Sequence, residues 1–225
     1  MGPAAGSGDV VSGLPPWWEP LRTRALSARA DEFTRIPVPP RGGRPSAVLV
    51  LLGEEAGEPD VLVLERAASM RTHAGQPAFP GGAADPGDAD PVATALREAR
   101  EEVGVDPGSV TVVTQLPPLW IPISEFRVTP VLAWWHAAHP VRPHQPAEVA
   151  RVARLPLAEL ADPANRLLVR HPSGYVGPAF EVGGLLVWGF TAGVLATLLE
   201  MGGWARPWSR HRVTELPRAG ARPVP

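Results

Sequence analysis

The sequence predicts an α/β fold in which a mixed β-sheet is sandwiched between helices. Short apolar runs rich in β-branched residues lie on both sides of one amphipathic helical pattern, and a second helical segment follows the last run. Such runs bounded by glycine and proline are typical of strands, whereas a 3.6-residue period is typical of a helix. Strands on both sides of one helix, with another helix at the end, indicate a mixed sheet flanked by helices.

The chain is expected to form one domain with tails. Its 225 residues are enough for a single hydrophobic core of ordinary size. We assign residues 1–44 to a Pro/Gly-rich N-terminal segment, 45–204 to the domain and 205–225 to a flexible C-terminal tail. Within the first segment, Trp17 and Trp18 begin a stretch that favours a short helix docked on the domain.

Strands account for most of the domain. The first two are expected at 47–52 and 61–64, and the polar, glycine-containing segment between them predicts a hairpin of two buried strands. Four further strand-like runs follow the central helix, at 110–113, 126–135, 149–155 and 167–169. A short helical piece is expected to end at Asp162, because the next residue is a proline.

Residues 182–199 contain no charged side chain, which is formally long enough for a membrane span. Glycine and threonine interrupt this run, however, and no basic residue flanks it to set an orientation. The run therefore predicts a strand at 185–188, a turn at Gly189 and a helix at 191–201. Because residues 1–45 contain no basic-then-apolar signal segment, we expect a cytoplasmic protein without membrane contact.

Composition excludes several further classes. A formal net charge of −2 gives no general attraction to nucleic acid or to anionic membranes. Cysteine is absent, so neither disulfides nor thiolate metal sites can form. The expected partner is a small-molecule substrate, and the oligomeric state stays open.

The chain is organised around residues 81–105, which predict a glycine turn, an acidic loop and one short helix. Asp90 suits the N-terminal cap of this helix and Pro91 its first position, while Gly104 suits a left-handed C-terminal residue. Apolar residues recur at the spacing of one helical face, namely Val92, Ala95, Leu96, Ala99 and Val103.

Three glutamates share another side of the helix. Glu98, Glu101 and Glu102 fall within an arc of roughly 100°, although mutual repulsion and the helix dipole both disfavour this arrangement. A hard divalent cation such as Mg²⁺ or Mn²⁺ would offset the repulsion, because it prefers carboxylate oxygens. A solvated acidic face explains the same three residues, so the residues taken alone leave both interpretations open.

The order of residues favours the metal. Residues 97–105 read R-E-A-R-E-E-V-G-V after Gly81 and Gly82, which resembles the signature of the Nudix hydrolases. The resemblance implies a Nudix fold and hydrolysis of a nucleoside diphosphate linked to another group. One departure is the spacing of fifteen residues from Gly82 to Arg97, where the general signature has fourteen. Asp88 then stands near the position where a glutamate is usual.

The resemblance also implies roles for individual residues. The implied ligands of Mg²⁺ or Mn²⁺ are Glu98 and Glu102, with Glu101 and the carbonyl of Gly82 nearby. Glu101 is the first candidate to deprotonate the attacking water, and Glu148 on a later loop is the alternative. Arg97 would orient a glutamate rather than contact substrate.

A second motif precedes the glycine turn. Residues 66–82 offer two arginines, a histidine, a glutamine and several glycines in a loop between strands. Arginine forks match phosphate oxygens and glycines let backbone N–H groups approach an anion, so one interpretation is a phosphate-bearing ligand. Surface charges with simple turns are the other. The stretch resembles the additional motif of coenzyme A diphosphatases, a Nudix subfamily that shares the longer spacing. The matching positions assigned to substrate binding are Arg66, Arg71, His73, Gly75, Gln76, Phe79 and Gly81.

The resemblance implies an enzyme that cleaves the diphosphate of coenzyme A or acyl-coenzyme A, giving 3′,5′-ADP and 4′-phosphopantetheine. Another nucleoside diphosphate derivative, such as ADP-ribose or NADH, is the alternative substrate. A Nudix-like ligand sensor without turnover is a more remote alternative. The eight tryptophans are expected in the core, in tail docking or at an interface rather than as stacking platforms, with one of Trp120, Trp134 and Trp135 as the candidate for stacking on adenine.

Overall fold

The computed structural model describes residues 13–69 and 74–216. In these residues the α-helices are α1 Trp18–Ala25, α2 Ala30–Phe33, α3 Pro91–Val103, α4 Leu157–Ala161 and α5 Gly189–Met201. The strands are β1 Arg44–Glu55, β2 Glu58–Arg66, β3 Pro77–Ala78, β4 Gly81–Ala83, β5 Val110–Gln115, β6 Leu119–Ile121, β7 Phe126–Trp135, β8 Val149–Pro156, β9 Arg166–Arg170, β10 Val176–Val182, β11 Leu185–Val187 and β12 Val213–Glu215. The architecture is α/β with mixed sheets, as the sequence predicts.

The first sheet carries the candidate site. Its main path is β3-β2-β1-β7-β5, with β4 paired to β1, β6 to β7 and β8 to β2. β1 and β7 are parallel, whereas β1 and β2 form the predicted antiparallel hairpin. Because side chains alternate along a strand, Leu49 and Leu51 pack in the core under α3 while Val50 and Leu52 pack in the core that includes α5.

The second sheet has the order β11-β10-β9-β12. β9 and β11 occupy the positions predicted for short strands, and α4 ends before Asp162 as expected. The sequence analysis did not predict β10, which pairs with both β9 and β11. Gly177 and Pro178 lie within β10 and hide the strand pattern, because both residues are depleted in strands.

Helix α3 has the predicted ends. Oδ1 of Asp90 accepts a hydrogen bond from the backbone N–H of Ala93 over 2.8 Å, and Pro91 is the first helical residue. Gly104 ends the helix with φ of 77°, a left-handed conformation that glycine adopts at low cost. Ala95, Ala99 and Val103 are buried against the first sheet, and Glu102 is buried at the edge of the same face.

The uncharged run 182–199 divides between β11 and α5 after the last residue of β10. Helix α5 begins at Gly189, two residues before the predicted start, and most of its residues are buried. The part of the chain that the structure describes contains no helix that is both long and apolar enough to cross a bilayer.

Both ends of the described chain pack on this body. Helix α1 forms where Trp17 and Trp18 predict a docked helix, and it buries Trp18 and Leu21 beside α5. At the other end, residues 213–215 lie in the predicted C-terminal tail but form β12, which pairs in parallel with β9. An ion pair of 3.0 Å between Arg170 and Glu215 joins these two strands.

Candidate metal and phosphate site

Two glycines let strand β4 pass between β1 and helix α3. A Cβ atom on Gly81 would lie 2.4 Å from the carbonyl oxygen of Ala47 on β1. A Cβ atom on Gly82 would lie 2.5 Å from Oε1 of Glu98. Side chains at these two positions would therefore displace either the strand or the carboxylate, so glycine is required for the close approach.

Glu102 is the most buried acid of this site, with 3% of its surface exposed. Its Oε2 accepts a hydrogen bond of 3.0 Å from the backbone N–H of Gly81. The pKa of Glu102 is raised to about 7, chiefly by burial and to a smaller extent by the charges of Glu98 and Glu148. The hydrogen bond from Gly81 and the charge of Arg66 act in the opposite direction.

Arg97 contacts the other two glutamates of the helix. Its Nη1 donates to Oε1 of Glu98 over 3.0 Å and to Oε2 of Glu101 over 3.1 Å. Glu98 is half-buried, and burial raises its pKa although Arg97 lowers it. Glu101 is exposed to solvent. The three carboxylates therefore lie in different environments on one side of one helix.

Asp88 in the acidic loop fixes the position of Arg97. The arginine donates from Nε to Oδ1 and from Nη2 to Oδ2 of Asp88, each over 3.0 Å, and also donates to the carbonyl of Ala83. The hydroxyl of Thr94 donates to the same carboxylate over 2.9 Å. These bonds, with that from Arg97 first, hold the pKa of Asp88 well below its usual range. Asp88 has no role predicted from the sequence, although its place near the position of a usual glutamate is a signal that could have found it.

Arg66 reaches the site from the end of β2. Its charge acts on Glu102, and its Nε is buried without a hydrogen-bond partner in the described part of the chain. The backbone N–H of Ala67 donates to the carbonyl of Glu148 over 2.7 Å, which holds the turn before β8 beside this strand end. An orphaned arginine donor beside carboxylates is the arrangement expected where an anionic ligand completes the site.

The loop after β2 is partly described. Gly75 has φ of 68°, and its N–H donates to the carbonyl of Arg66, whose own N–H donates to the carbonyl of Gln76. Phe79 is 2% exposed and packs in the core, so its side chain anchors the segment. Arg71 and His73 lie outside the described residues.

The structure brings most candidate residues of the sequence analysis to one place. Around β4 and α3 it gathers Arg66, Gly81, Gly82, Arg97, Glu98, Glu101, Glu102 and Glu148. The tryptophans proposed for adenine stacking are not among them. Trp134 and Trp135 are buried, and Trp120 packs against Gly43.

The donors of this site suit a hard divalent cation in their chemistry. Glu98 and Glu102 offer carboxylate oxygens, and Gly82 adds a backbone carbonyl next to Glu98. Burial and the negative charges of neighbouring carboxylates disfavour the charged forms of both glutamates, and a cation would relieve both effects. Within residues 13–69 and 74–216, no three acidic or histidine side chains are already arranged around a common metal position, and Arg97 engages Glu101.

Comparison with known proteins shows the family of this chain. The NUDIX domain model matches residues 43–174, which is more than half of the chain. The chain belongs to the Nudix family. The domain match and the curated relatives described below identify it as a Nudix hydrolase.

The curated relatives match the central part of the chain. A Klebsiella aerogenes protein named uncharacterized Nudix hydrolase NudL is 49% identical over 94 residues, covering 42% of this chain and 77% of the relative. A protein of the same name from Cronobacter sakazakii is 51% identical over 89 residues, covering 40% of this chain and 45% of the relative. The match thus spans less than half the length of the second relative.

Solved structures of Nudix hydrolases are also similar. The M. smegmatis protein RenU matches with a TM-score of 0.48 and 23% identity, over 72% of this chain and 88% of that chain. A Nudix hydrolase from Nitrosomonas europaea matches with a TM-score of 0.49 and 12% identity, over 81% of this chain and 84% of that chain.

Proposed function

We propose that this Nudix hydrolase cleaves the diphosphate of coenzyme A or acyl-coenzyme A, giving 3′,5′-ADP and 4′-phosphopantetheine. The observation that carries the proposal is the orphaned Nε of Arg66, at the end of β2, whose charge acts on the buried carboxylate of Glu102 beside the glycine strand β4. A phosphate oxygen supplies the acceptor that this arginine lacks. The resemblance of residues 66–82 to the coenzyme A diphosphatase motif names the substrate.

Nudix hydrolases generally use divalent metal ions. In this chain Glu98 and Glu102 would hold Mg²⁺ or Mn²⁺, with Glu101 and the carbonyl of Gly82 nearby. When bound, the cation lowers the pKa of a coordinated water and neutralises charge that develops on the diphosphate.

The remaining steps belong to side chains of the chain itself. Glu101 is the first candidate to take the proton of the attacking water, and Glu148 is the alternative because its charge acts on Glu102 from the facing turn. Arg97, held by Asp88, orients Glu98 and Glu101 and contacts no substrate. Comparison of Glu101→Gln with Glu148→Gln distinguishes the two bases, because only the base variant loses the dependence of kcat on deprotonation.

Each of two arginines is assigned a different phosphate group of the substrate. Arg66 at the end of β2 holds the diphosphate, because its charge already acts on Glu102. Arg71 binds the 3′-phosphate that distinguishes coenzyme A from simpler dinucleotides. His73, Gly75 and Gln76, which follow Arg71 in the chain, are assigned to substrate binding with the two arginines, and buried Phe79 holds the end of this segment to the core.

Two alternative functions would require fewer of these residues. The same helix would serve a hydrolase of ADP-ribose or NADH, which would not need the residues of the loop at 66–76. A ligand sensor without turnover would not need the metal glutamates, and all three are present.

The proposal is tested by measuring kcat/KM for coenzyme A and for dephospho-coenzyme A, which lacks the 3′-phosphate. A lost charge-assisted hydrogen bond of about 1.5–3 kcal/mol predicts a preference for coenzyme A of about 10- to 150-fold. Arg71→Ala should erase most of this preference, whereas Arg66→Ala should slow both substrates. Equal rates on both substrates in the wild type would leave coenzyme A specificity unsupported.

A further inference from the structure

A second cluster of cationic and aromatic residues lies at the start of β9, in the second sheet. Arg166 is 3% exposed, although arginine is almost never fully buried unless it is paired. Its guanidinium lies 5.1 Å from the ring centre of Phe180 and 4.8 Å from that of Trp208. Aromatic rings stabilise the faces of this planar cation but provide no acceptors for the N–H groups at its edge.

The guanidinium edge of Arg166 includes a buried N–H group, that of Nε, which has no hydrogen-bond acceptor within residues 13–69 and 74–216. Burial lowers the pKa of Arg166, the charge of Glu200 opposes this, and the charge of Arg210 lowers it further. The guanidinium of Arg210 lies 5.7 Å from the ring centre of Trp208, so two cations share one indole.

We propose that Arg166 and Arg210 form an anion-binding site beside Trp208 for a small oxyanion such as phosphate. Arginine forks match the oxygens of phosphate and make two hydrogen bonds to it. Arg210 is exposed and Trp208 is half-buried, so the cluster opens to solvent on the side of the C-terminal segment. A bound anion would fasten residues 204–216 to β9 and would raise the melting temperature of the protein. The site uses no residue of the candidate catalytic centre, so it stands independently of the proposed function.

The test is thermal unfolding in sodium phosphate against sodium chloride at equal ionic strength, with EDTA present to remove divalent cations. The wild type should show a saturable rise in Tm with phosphate. Arg210→Gln should weaken the apparent affinity about tenfold or more, because it removes one charge-assisted contact. Arg206→Gln, a control that removes another exposed arginine of the same segment, should leave the affinity unchanged. Arg66→Gln, which removes the proposed phosphate-binding arginine of the candidate catalytic centre, should retain the saturable response that Arg166 and Arg210 produce.

Arg166→Met gives a second measurement, because the apolar methionine side chain keeps the contacts with Phe180 and Trp208. This variant should remain folded and lose the response to phosphate. Three outcomes would overturn the proposal: a Tm rise no larger in phosphate than in chloride, equal effects of Arg210→Gln and Arg206→Gln, or loss of the response in Arg66→Gln alone.

Discussion

Arg97 and Asp88 are joined by two parallel hydrogen bonds of 3.0 Å, from Nε to Oδ1 and from Nη2 to Oδ2. The same guanidinium donates to Glu98, the next residue, and to Glu101, one helical turn further on. The acidic loop therefore sets the position of the arginine, and the arginine sets the positions of two glutamates. Asp88 thus acts on the proposed catalytic face through Arg97.

Asp88→Asn should lower kcat/KM by about 10- to 100-fold, the range found when a partner of a metal-binding side chain is removed. Asparagine keeps the size of the side chain but removes the charge that holds Arg97. The matched control is Asp85→Asn, since the exposed carboxylate of Asp85 lies 3.8 Å from Arg97. Steady-state kinetics should show little effect in the control. Equal losses of kcat/KM in the two variants would contradict the idea that Asp88 positions the glutamates through Arg97.

Glu98→Gln and Glu102→Gln should each reduce turnover by at least about two orders of magnitude, because loss of a direct ligand exceeds the cost of losing a supporting contact. Glu58→Gln, at the exposed start of β2, serves as the control. Circular dichroism should show that all three variants remain folded. Near-normal rates in both site variants at saturating Mg²⁺ would refute the ligand assignment.

The stability of the metal-free protein should fall as pH rises from about 4.5 to about 7. Folding raises the pKa of Glu102 from its ordinary value of 4.5 to about 7, so between these values the folded state holds a proton that the unfolded state has released. The free energy lost across this window is on the order of 3 kcal/mol. Urea unfolding in EDTA at about pH 5 and about pH 8 should show this fall in the wild type. Glu102→Gln should remove most of this fall in the free energy of unfolding. A variant whose stability falls with pH as steeply as that of the wild type would show that Glu102 is not the cause.

Addition of a divalent metal should change stability through the carboxyl group of Glu102 as well. Since a divalent cation favours the ionised carboxylates, Mg²⁺ should raise the melting temperature more at about pH 8 than at about pH 5. This readout requires no substrate and separates metal binding from turnover. A shift that is equal at both pH values, or that persists in a Glu98→Gln/Glu102→Gln double variant, would place the cation elsewhere.

Helix α1 should contribute directly to stability. Trp18 is 0% exposed and stacks on Trp17 at 5.4 Å between ring centres. Trp18→Ala should lower the free energy of unfolding by about 3–5 kcal/mol, the usual cost of removing a buried aromatic side chain. Leu26→Ala is the control, because Leu26 is 59% exposed at the end of the same helix. Similar losses in the two variants would show that the helix is not part of the core.

The sequence predicts the elements that local chemistry determines. The cap of Asp90, the left-handed Gly104 and the apolar stripe of α3 each follow from rules that act within a few residues. The β1–β2 hairpin also follows, because both strands are apolar runs around a polar turn. The resemblance of the acidic helix to Nudix hydrolases then identified the family, which the domain match confirms.

The contacts that depend on distant packing could not be predicted in this way. Strand β10 is hidden by Gly177 and Pro178, and β12 pairs with β9 across more than forty residues of chain. The bidentate hold of Asp88 on Arg97 depends on how the loop folds back over the helix. The burial of Glu102 likewise requires β4 to cross beside α3, which no local pattern specifies.

The most direct test of the account is to identify the products formed from coenzyme A, acyl-coenzyme A, ADP-ribose and NADH with Mg²⁺ or Mn²⁺. Mass spectrometry should find 3′,5′-ADP together with 4′-phosphopantetheine or its acyl form, at a higher kcat/KM than for the other two substrates. Glu98→Gln should abolish these products under the same conditions. Preferred cleavage of ADP-ribose or NADH with coenzyme A left intact would contradict the proposed substrate, and no cleavage of any of the four would contradict a diphosphatase acting on these compounds.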